Sequence, residues 1–121
     1  MNTIEFKRTR TEGGIHALEI AGSIDAHNFE ELEYAFDSYF DQEIYSLIVD
    51  VSRLEYISSA GVGVFIGAAG RAQANEGNIV AVGPRENVQE IFDLLGIGHI
   101  FPVVDTLKKA HAHFAAVSAG G

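Results

Sequence analysis

The sequence predicts a single α/β domain, in which a mixed central β-sheet is flanked by about four α-helices. Three observations support this prediction. Apolar stretches with strand character alternate along the chain with stretches of helical periodicity. The length of 121 residues is that of one domain. The hydrophobic fraction of 47% is enough for one core and is too high for a disordered chain. Residues 1–121 are therefore treated as one domain, with residues 118–121 expected to form a frayed tail.

The N-terminal part predicts a β-hairpin. Apolar and polar residues alternate in residues 3–10, which is typical of an edge strand, and two glycines at 13–14 indicate a turn. A second strand follows at residues 15–20 and is expected to end before Gly22. Residues 23–28 form a polar loop in this interpretation.

Residues 29–40 predict an amphipathic helix. A side chain of the preceding loop, Asn28 or Asp25, is suited to cap its first turn. The acidic residues point mostly away from one apolar face, which is formed by Phe29, Leu32, Ala35, Phe36 and Phe40.

The centre of the chain predicts a buried strand, a polar turn and a second helix. Residues 45–51 are apolar without alternation, as expected of a strand that is covered on both faces. Ser58 and Ser59 lie where a hydroxyl can cap a helix over residues 59–75. The same helix start has free N–H groups and partial positive charge, so it also suits an added phosphate. Small residues recur on one face, which we expect to press closely on the sheet: Ala60, Gly63, Gly67 and Gly70.

The C-terminal part predicts two further strands and two helices. A strand at residues 78–82 precedes a third helix, which Asn87 is expected to cap and Gly96 to end. Its apolar face comprises Val88, Ile91, Phe92 and Leu95. Residues 100–104 contain a proline, which favours an edge strand, and Asp105 or Thr106 caps a last helix at residues 107–117.

Composition argues against several functional classes. The net charge is −9, from 17 acidic and 8 basic residues, so the chain lacks the basic face of a nucleic-acid binder or of a protein that binds anionic membranes. It has no cysteine, and therefore no disulfide framework or thiolate chemistry. No stretch resembles a signal peptide or is long and apolar enough to span a bilayer. We expect a cytoplasmic protein.

The candidates for catalysis or metal binding are weak. Ser59 precedes Gly61 as in a serine-hydrolase elbow, but Ile57 stands where that motif needs a glycine. His111 and His113 point to different faces of a helix, so no metal site or cofactor is expected. Asp25 and Asp50 could line a polar pocket near the serines, although their spacing favours loop capping.

A resemblance to a known family gives the sequence a more specific interpretation. Residues 50–64, DVSRLEYISSAGVGV, closely resemble the central motif of the STAS domain in its free-standing members, the bacterial anti-sigma-factor antagonists. Residues 22–25, GSID, and residues 91–97, IFDLLGI, resemble two further segments of that family, so the resemblance extends over nearly the whole chain. It implies a STAS-like fold and a regulatory binding protein without enzymatic activity.

The resemblance also implies a mechanism of partner switching. In that family, the unmodified antagonist binds an anti-sigma factor that is also a serine kinase, and so frees a sigma factor. The kinase then phosphorylates the antagonist and releases it, and a PP2C-type phosphatase removes the phosphate. Alignment places the phosphoacceptor at Ser59. Ser58, where many members have aspartate, is the second candidate.

The docking face implied for the anti-sigma factor surrounds these serines. Its expected members are Asp25, Tyr56, Ile57, Ser58, Ser59, Ala60, Gly61 and Val62. From the residues alone, the apolar members of this set fit core packing as well as they fit a partner-binding patch. Two alternatives remain: a STAS module that regulates a sensor kinase, a cyclase or a transport complex, and a small serine hydrolase.

Overall fold

The computed structural model describes residues 3–120, and the side chains of residues 3–115. The strands are β1 (Ile4–Arg10), β2 (His16–Ile24), β3 (Ser46–Ile57), β4 (Asn78–Val82) and β5 (Val103–Val104). The helices are α1 (Phe29–Phe40), α2 (Ser59–Ala74), α3 (Glu86–Leu94) and α4 (Leu107–Gly120), with a 3₁₀ turn at Ile97–His99. None of the helices in the described part of the chain is long and apolar enough to cross a membrane.

The five strands form one mixed sheet in the order β1-β2-β3-β4-β5. β1 and β2 pair antiparallel, as the hairpin prediction requires, and every later pair is parallel. Parallel neighbours need crossover connections, and α1, α2 and α3 supply them. The predicted α/β domain with a mixed sheet and four helices is confirmed, as are the edge positions of β1 and β5.

The sheet is covered on both faces. One face packs against α1, α2 and α3, and its cluster includes Leu47 and Val49 of β3. The other face packs against α4, and its cluster includes Ile48 of β3 with Ala110 and Phe114 of α4. The first half of the central strand is thus buried on both sides, which explains why residues 47–51 show no alternation.

Aromatic rings form the centre of the larger cluster. Phe65 of α2 has no exposed surface. Its ring centroid lies 5.6 Å from that of Phe36, 6.1 Å from that of Phe92 and 6.0 Å from that of Phe101. These distances are typical of favourable aromatic pairs. Phe65 therefore connects the first, second and third helices with the segment before β5.

The prediction that β2 ends near Gly22 and that β3 ends at residue 51 is wrong. Both strands continue further, to the end of the sheet at which the serines lie. Ile24 pairs with Ile57, and two register shifts interrupt the ladder before that pair. Gly22 sustains one of these irregularities with a φ of +101°, a conformation that L side chains rarely adopt. These shifts disturb the two-residue alternation of buried and exposed side chains, so the sequence pattern does not reveal the second half of β3.

The prediction that the face of α2 carrying Gly63, Gly67 and Gly70 packs closely on the sheet is also wrong. Gly63, Gly67 and Gly70 are exposed, and a Cβ atom added to any of them would meet nothing within 4 Å. The glycine of α2 that packs closely on its neighbours is Gly61. A Cβ atom there would lie 2.7 Å from Ile24 Cγ2 and 2.8 Å from Ile57 Cγ1.

The two kinds of glycine should respond to alanine in opposite directions. Gly63→Ala and Gly67→Ala should each raise the free energy of unfolding by about 0.5–1 kcal/mol, because alanine restricts the unfolded chain and favours the helix. Gly61→Ala should lower it by about 1–3 kcal/mol through overpacking. Urea unfolding of the three variants measures this difference. A stabilised Gly61→Ala variant would contradict the packing described here.

Two predictions for the third helix and the last strand need correction. α3 begins at Glu86 after Arg85, so Asn87 lies inside the helix and does not cap it. Instead, the Asn87 amide donates a hydrogen bond of 2.6 Å to the carbonyl oxygen of Glu55. Leu95, expected in the core, is 47% exposed. The last strand contains only Val103–Val104, because the residues before it form the 3₁₀ turn and an irregular segment.

The ends of the other helices agree more closely with the sequence. Thr106 caps α4, since its hydroxyl oxygen accepts a hydrogen bond of 3.2 Å from the Lys109 N–H. The buried face of α1 contains Tyr39 in addition to predicted residues, whereas Phe29 is only partly buried. α4 continues to Gly120, and Gly121 lies outside the described residues. The frayed tail expected at residues 118–121 stays a prediction.

Candidate functional site

The candidate site is the junction between β3 and α2. Ser58 is the N-cap of α2, with the extended backbone that this position requires (φ −83°, ψ 168°). Its hydroxyl oxygen accepts a hydrogen bond of 3.3 Å from the Gly61 N–H. Its own N–H donates to the carbonyl oxygen of Ile24 at 2.9 Å, which fastens the junction to the end of β2. The predicted capping role of this pair of serines is thus carried by Ser58.

Ser59 has a different environment. It is the first residue of α2 and is exposed, whereas Ser58 is only partly exposed. The hydrogen bonds found among the described residues include none from the Ser59 hydroxyl. The hydroxyl of Ser59 is therefore accessible, while that of Ser58 is engaged in stabilising the helix start.

Removing the cap should destabilise the domain without touching the exposed hydroxyl. Ser58→Ala should lower the free energy of unfolding by about 1 kcal/mol, because a Gly61 N–H loses its acceptor. Ser59→Ala, the neighbouring control, should change it by no more than about 0.5 kcal/mol. Thermal or urea unfolding compares the two variants. Equal losses in both would show that the cap is not specific to Ser58.

Asp25 organises the loop beside the serines. It follows Ile24, whose pairing with Ile57 places Asp25 next to the start of α2. Its carboxylate accepts hydrogen bonds from the N–H groups of His27 at 2.8 Å and Asn28 at 3.2 Å. The Asn28 side chain in turn accepts from the Asp25 N–H at 2.9 Å, and it makes no cap bond to α1. The loop is thus a set of Asx turns, in agreement with the loop capping favoured by the spacing, whereas the expected cap of the first turn of α1 by Asn28 is wrong.

Asp50, the other carboxylate weighed with Asp25, is not at the site. It pairs with Val82 in the ladder and lies seven residues before Ile57 along β3, about 23 Å at the usual rise per residue. Its carboxylate accepts from the N–H and the hydroxyl of Ser52, at 2.9 and 2.7 Å. The structure does not bring the two aspartates together around the serines.

The apolar residues beside the serines divide into surface and core. Tyr56 is 45% exposed and Ala60 is partly exposed. Ile57 and Val62 are each 1% exposed and belong to the core, and Gly61 is buried beneath the turn. Ile57, Gly61 and Val62 therefore pack beneath the junction and do not form part of its surface. The surface itself is formed by Asp25, Tyr56, Ser58, Ser59 and Ala60.

The start of α3 adds a rim that the sequence did not reveal. The bond from Asn87 to Glu55 places α3 beside the last residues of β3, and Arg85 donates a bond of 3.2 Å to the carbonyl oxygen of Ser52. Asn87 suggested a cap from its position alone. Its actual role depends on a contact between residues 32 positions apart, for which the sequence carries no local signal.

The described side chains around Ser59 make few contacts of the kind that supports catalysis or metal binding. Among the described side chains, no histidine or carboxylate is hydrogen bonded to Ser59 in the way that activates the nucleophile of a hydrolase. The described residues contain no cluster of three or more side chains that could hold a metal ion. What the site presents is an exposed hydroxyl on a rigid helix start, next to an aromatic side chain.

The chain is similar to several known proteins. The model of the STAS domain matches residues 7–110. BtrV of Bordetella bronchiseptica, a candidate anti-sigma factor antagonist, is 32% identical over 95 residues, which are 78% of this chain and 82% of BtrV. An anti-sigma factor antagonist from Mycobacterium paratuberculosis superposes with a TM-score of 0.82 at 21% identity, over 92% of this chain and 93% of that one.

A third similar structure is that of the anti-sigma factor antagonist SpoIIAA in its unphosphorylated form. It has a TM-score of 0.76 at 20% identity, and the match covers 93% of this chain and 97% of SpoIIAA. At this level of identity, the two superpositions establish the fold. The family itself is established by the domain match over most of the chain and by the identity to BtrV. The chain therefore belongs to the STAS-domain family.

Proposed function

We propose that this protein is an anti-sigma-factor antagonist whose binding is switched off by phosphorylation of Ser59. The observation that carries the proposal is the contrast between the two serines: the Ser58 hydroxyl caps α2, and the Ser59 hydroxyl is exposed at the first position of the helix. A kinase needs the accessible hydroxyl. The names of the relatives, which are anti-sigma factor antagonists, support the assignment of the partner class.

The helix start explains how the domain would tolerate the modification. A phosphoserine carries a charge of about −1.5 to −2 at neutral pH. The first turn of α2 contains no acidic side chain that would repel it. The partial positive charge of the helix N-terminus and its free N–H groups favour the phosphate. The fold should therefore survive phosphorylation almost unchanged.

The same charge would oppose binding of a partner. Docking of an anti-sigma factor over Ser59 would bury the hydroxyl at the centre of the interface, with Tyr56 as an aromatic anchor and Asp25 and Ala60 at its sides. A phosphate there would be desolvated without a cationic partner, which costs several kcal/mol. In this account Ile57, Gly61 and Val62 fix the position of the turn.

The partner in this proposal is an anti-sigma factor that is itself a serine kinase, with a PP2C-type phosphatase as the enzyme that restores Ser59. The chain itself acts by binding, without catalysis or cofactor, in the cytoplasm. Its release from the anti-sigma factor returns that factor to the sigma factor. The cycle thus depends on one hydroxyl and needs no large conformational change.

Affinity capture from cells of the native host tests this proposal. The immobilised wild-type chain should retain a kinase, and added Mg²⁺ and ATP should release it as Ser59 becomes phosphorylated. An immobilised Ser59→Ala variant, the matched control, should retain the same kinase after ATP is added. A retained partner without kinase activity, unaffected by ATP, would identify a STAS module of another pathway. Labelling of Ser59 by a fluorophosphonate probe would instead support a hydrolase.

A further inference from the structure

A second candidate site lies at the opposite end of the sheet. β1, β2 and α1 enclose a cleft of about 250 Å³, lined by Arg8, Thr9, His16, Tyr39, Gln42 and Ile44. His16 pairs with Leu47 at the start of β3, whereas Ser58 follows the end of that strand. At the usual rise per residue, the two sites are about 30 Å apart. The cleft is therefore independent of the docking face proposed above.

Arg8 and His16 line this cleft, and Arg10 lies beside it, in contact with His16. Arg8 and Arg10 alternate along β1, so they share one face, and His16 is the partner of Arg10 in the ladder. The Arg8 guanidinium lies 5.1 Å from the ring centroid of Tyr39 and also contacts the Ser38 hydroxyl. Arg10 Nη2 lies 2.9 Å from His16 Nε2.

The tyrosine ring positions the other two groups. Tyr39 is 4% exposed, and its ring packs edge to face on His16 with centroids 5.9 Å apart. The Arg8 guanidinium sits over the same ring, in cation–π geometry. The buried Tyr39 ring thus holds the exposed Arg8 guanidinium and the His16 imidazole at the mouth of the cleft.

No carboxylate neutralises this cluster among the described side chains. The ion pairs found there use Arg53, Arg71 and Lys109, and neither Arg8 nor Arg10 has an acidic partner. Yet acidic residues outnumber basic ones by 17 to 8 in the chain. Burial lowers the pKa of His16, and the Arg10 charge lowers that pKa further, which keeps the imidazole neutral and able to accept from Arg10. Within residues 3–115, Arg8 and Arg10 therefore carry positive charge without a carboxylate partner.

We propose that this cleft binds the phosphate group of a small molecule. Two guanidinium groups match the charge of a phosphate dianion, and each offers several N–H donors in a planar arrangement suited to its oxygen atoms. In the described structure, Arg10 uses one nitrogen for His16, which fixes its orientation. The cleft of about 250 Å³ is smaller than the usual pocket for a drug-sized molecule, which favours a small ligand. Tyr39 and Ile44 provide an apolar wall for the organic part of the ligand.

NMR titration of the full-length chain tests this site. Glycerol 3-phosphate and inorganic phosphate are added in low-salt, phosphate-free buffer while the His16 ring resonances are followed. Saturable shifts are expected, and Arg8→Gln and Arg10→Gln should each weaken binding by about tenfold, or about 1.4 kcal/mol. Arg71→Gln is the matched control. It removes the same charge from an arginine that is paired with Asp37, and it should change affinity by no more than about twofold.

Three results would overturn the proposal. These are the absence of saturable shifts in the folded wild-type chain, an equal loss of affinity in Arg71→Gln, and equally tight binding of acetate. Pelleting with phosphatidylcholine vesicles that contain phosphatidic acid distinguishes the sources of the phosphate. Pelleting that Arg10→Gln abolishes would support the site with a lipid headgroup as ligand, and saturable binding of glycerol 3-phosphate without pelleting would support a soluble ligand.

Discussion

Phosphorylation of Ser59 should weaken binding of the anti-sigma factor by about a thousandfold. The expected loss follows from burying an unpaired double negative charge in an interface, which costs several kcal/mol. The midpoint of thermal unfolding should hardly change, since the phosphate lies at the favourable end of α2. Binding of the captured partner to the chain with and without phosphoserine at position 59 measures the effect.

The matched control places the same charge elsewhere on the domain. Ala112 is exposed on α4, the helix that covers the opposite face of the sheet. Phosphoserine in place of Ala112 should leave the affinity within a few-fold of the unmodified value, because exposed charges at this separation are screened. Equal weakening by both modifications would contradict a docking face centred on Ser59.

Removing the ring of Phe65 should be the most damaging single change to the core. Phe65 touches three other aromatic rings and is fully buried, so Phe65→Ala should lower the free energy of unfolding by about 3–5 kcal/mol. Ile66→Ala is the control, since Ile66 follows Phe65 in the sequence and is 38% exposed. We expect it to cost about 1 kcal/mol or less. Equal losses of unfolding free energy in the two variants, measured by urea unfolding, would contradict the packing of α2 described here.

Most of the architecture could be predicted from patterns that are local in sequence. α1 shows a clear helical period, and its predicted bounds agree with those observed. The hairpin and the parallel strands also follow from runs of apolar residues between turns. The second half of β3 could not be predicted in this way, because the ladder shifts register twice before Ile24 reaches Ile57. A strand with such irregularities shows no consistent alternation.

The glycines of α2 show a different limit of sequence reasoning. Helical periodicity correctly places Gly63, Gly67 and Gly70 on one side of the helix, but it does not specify which side meets the sheet. The sheet is met by Val62, Phe65 and the alanines that follow, whose larger apolar area decides the orientation. The small residues suggested that the glycine face of α2 packs on the sheet, whereas burial of Phe65 determines which face does so.

The position of the junction between β3 and α2 was predictable, but its detailed geometry was not. The serine pair before a helix indicated a cap, and the structure assigns that cap to Ser58. The exposure of Ser59 and the burial of Ile57 depend on the tertiary packing of β2 and α2. The same is true of the bond between Asn87 and Glu55, which joins segments remote in sequence.

The central claim is tested most directly by mapping phosphorylation sites on the protein purified from its native cells, with a Ser59→Ala variant beside it. The account predicts phosphate on Ser59 in the wild-type chain and an unmodified peptide in the variant. Phosphate on Ser58 alone would preserve a switch at this junction but contradict the assignment of the acceptor. Absence of phosphate from both serines under every growth condition would contradict the switch itself.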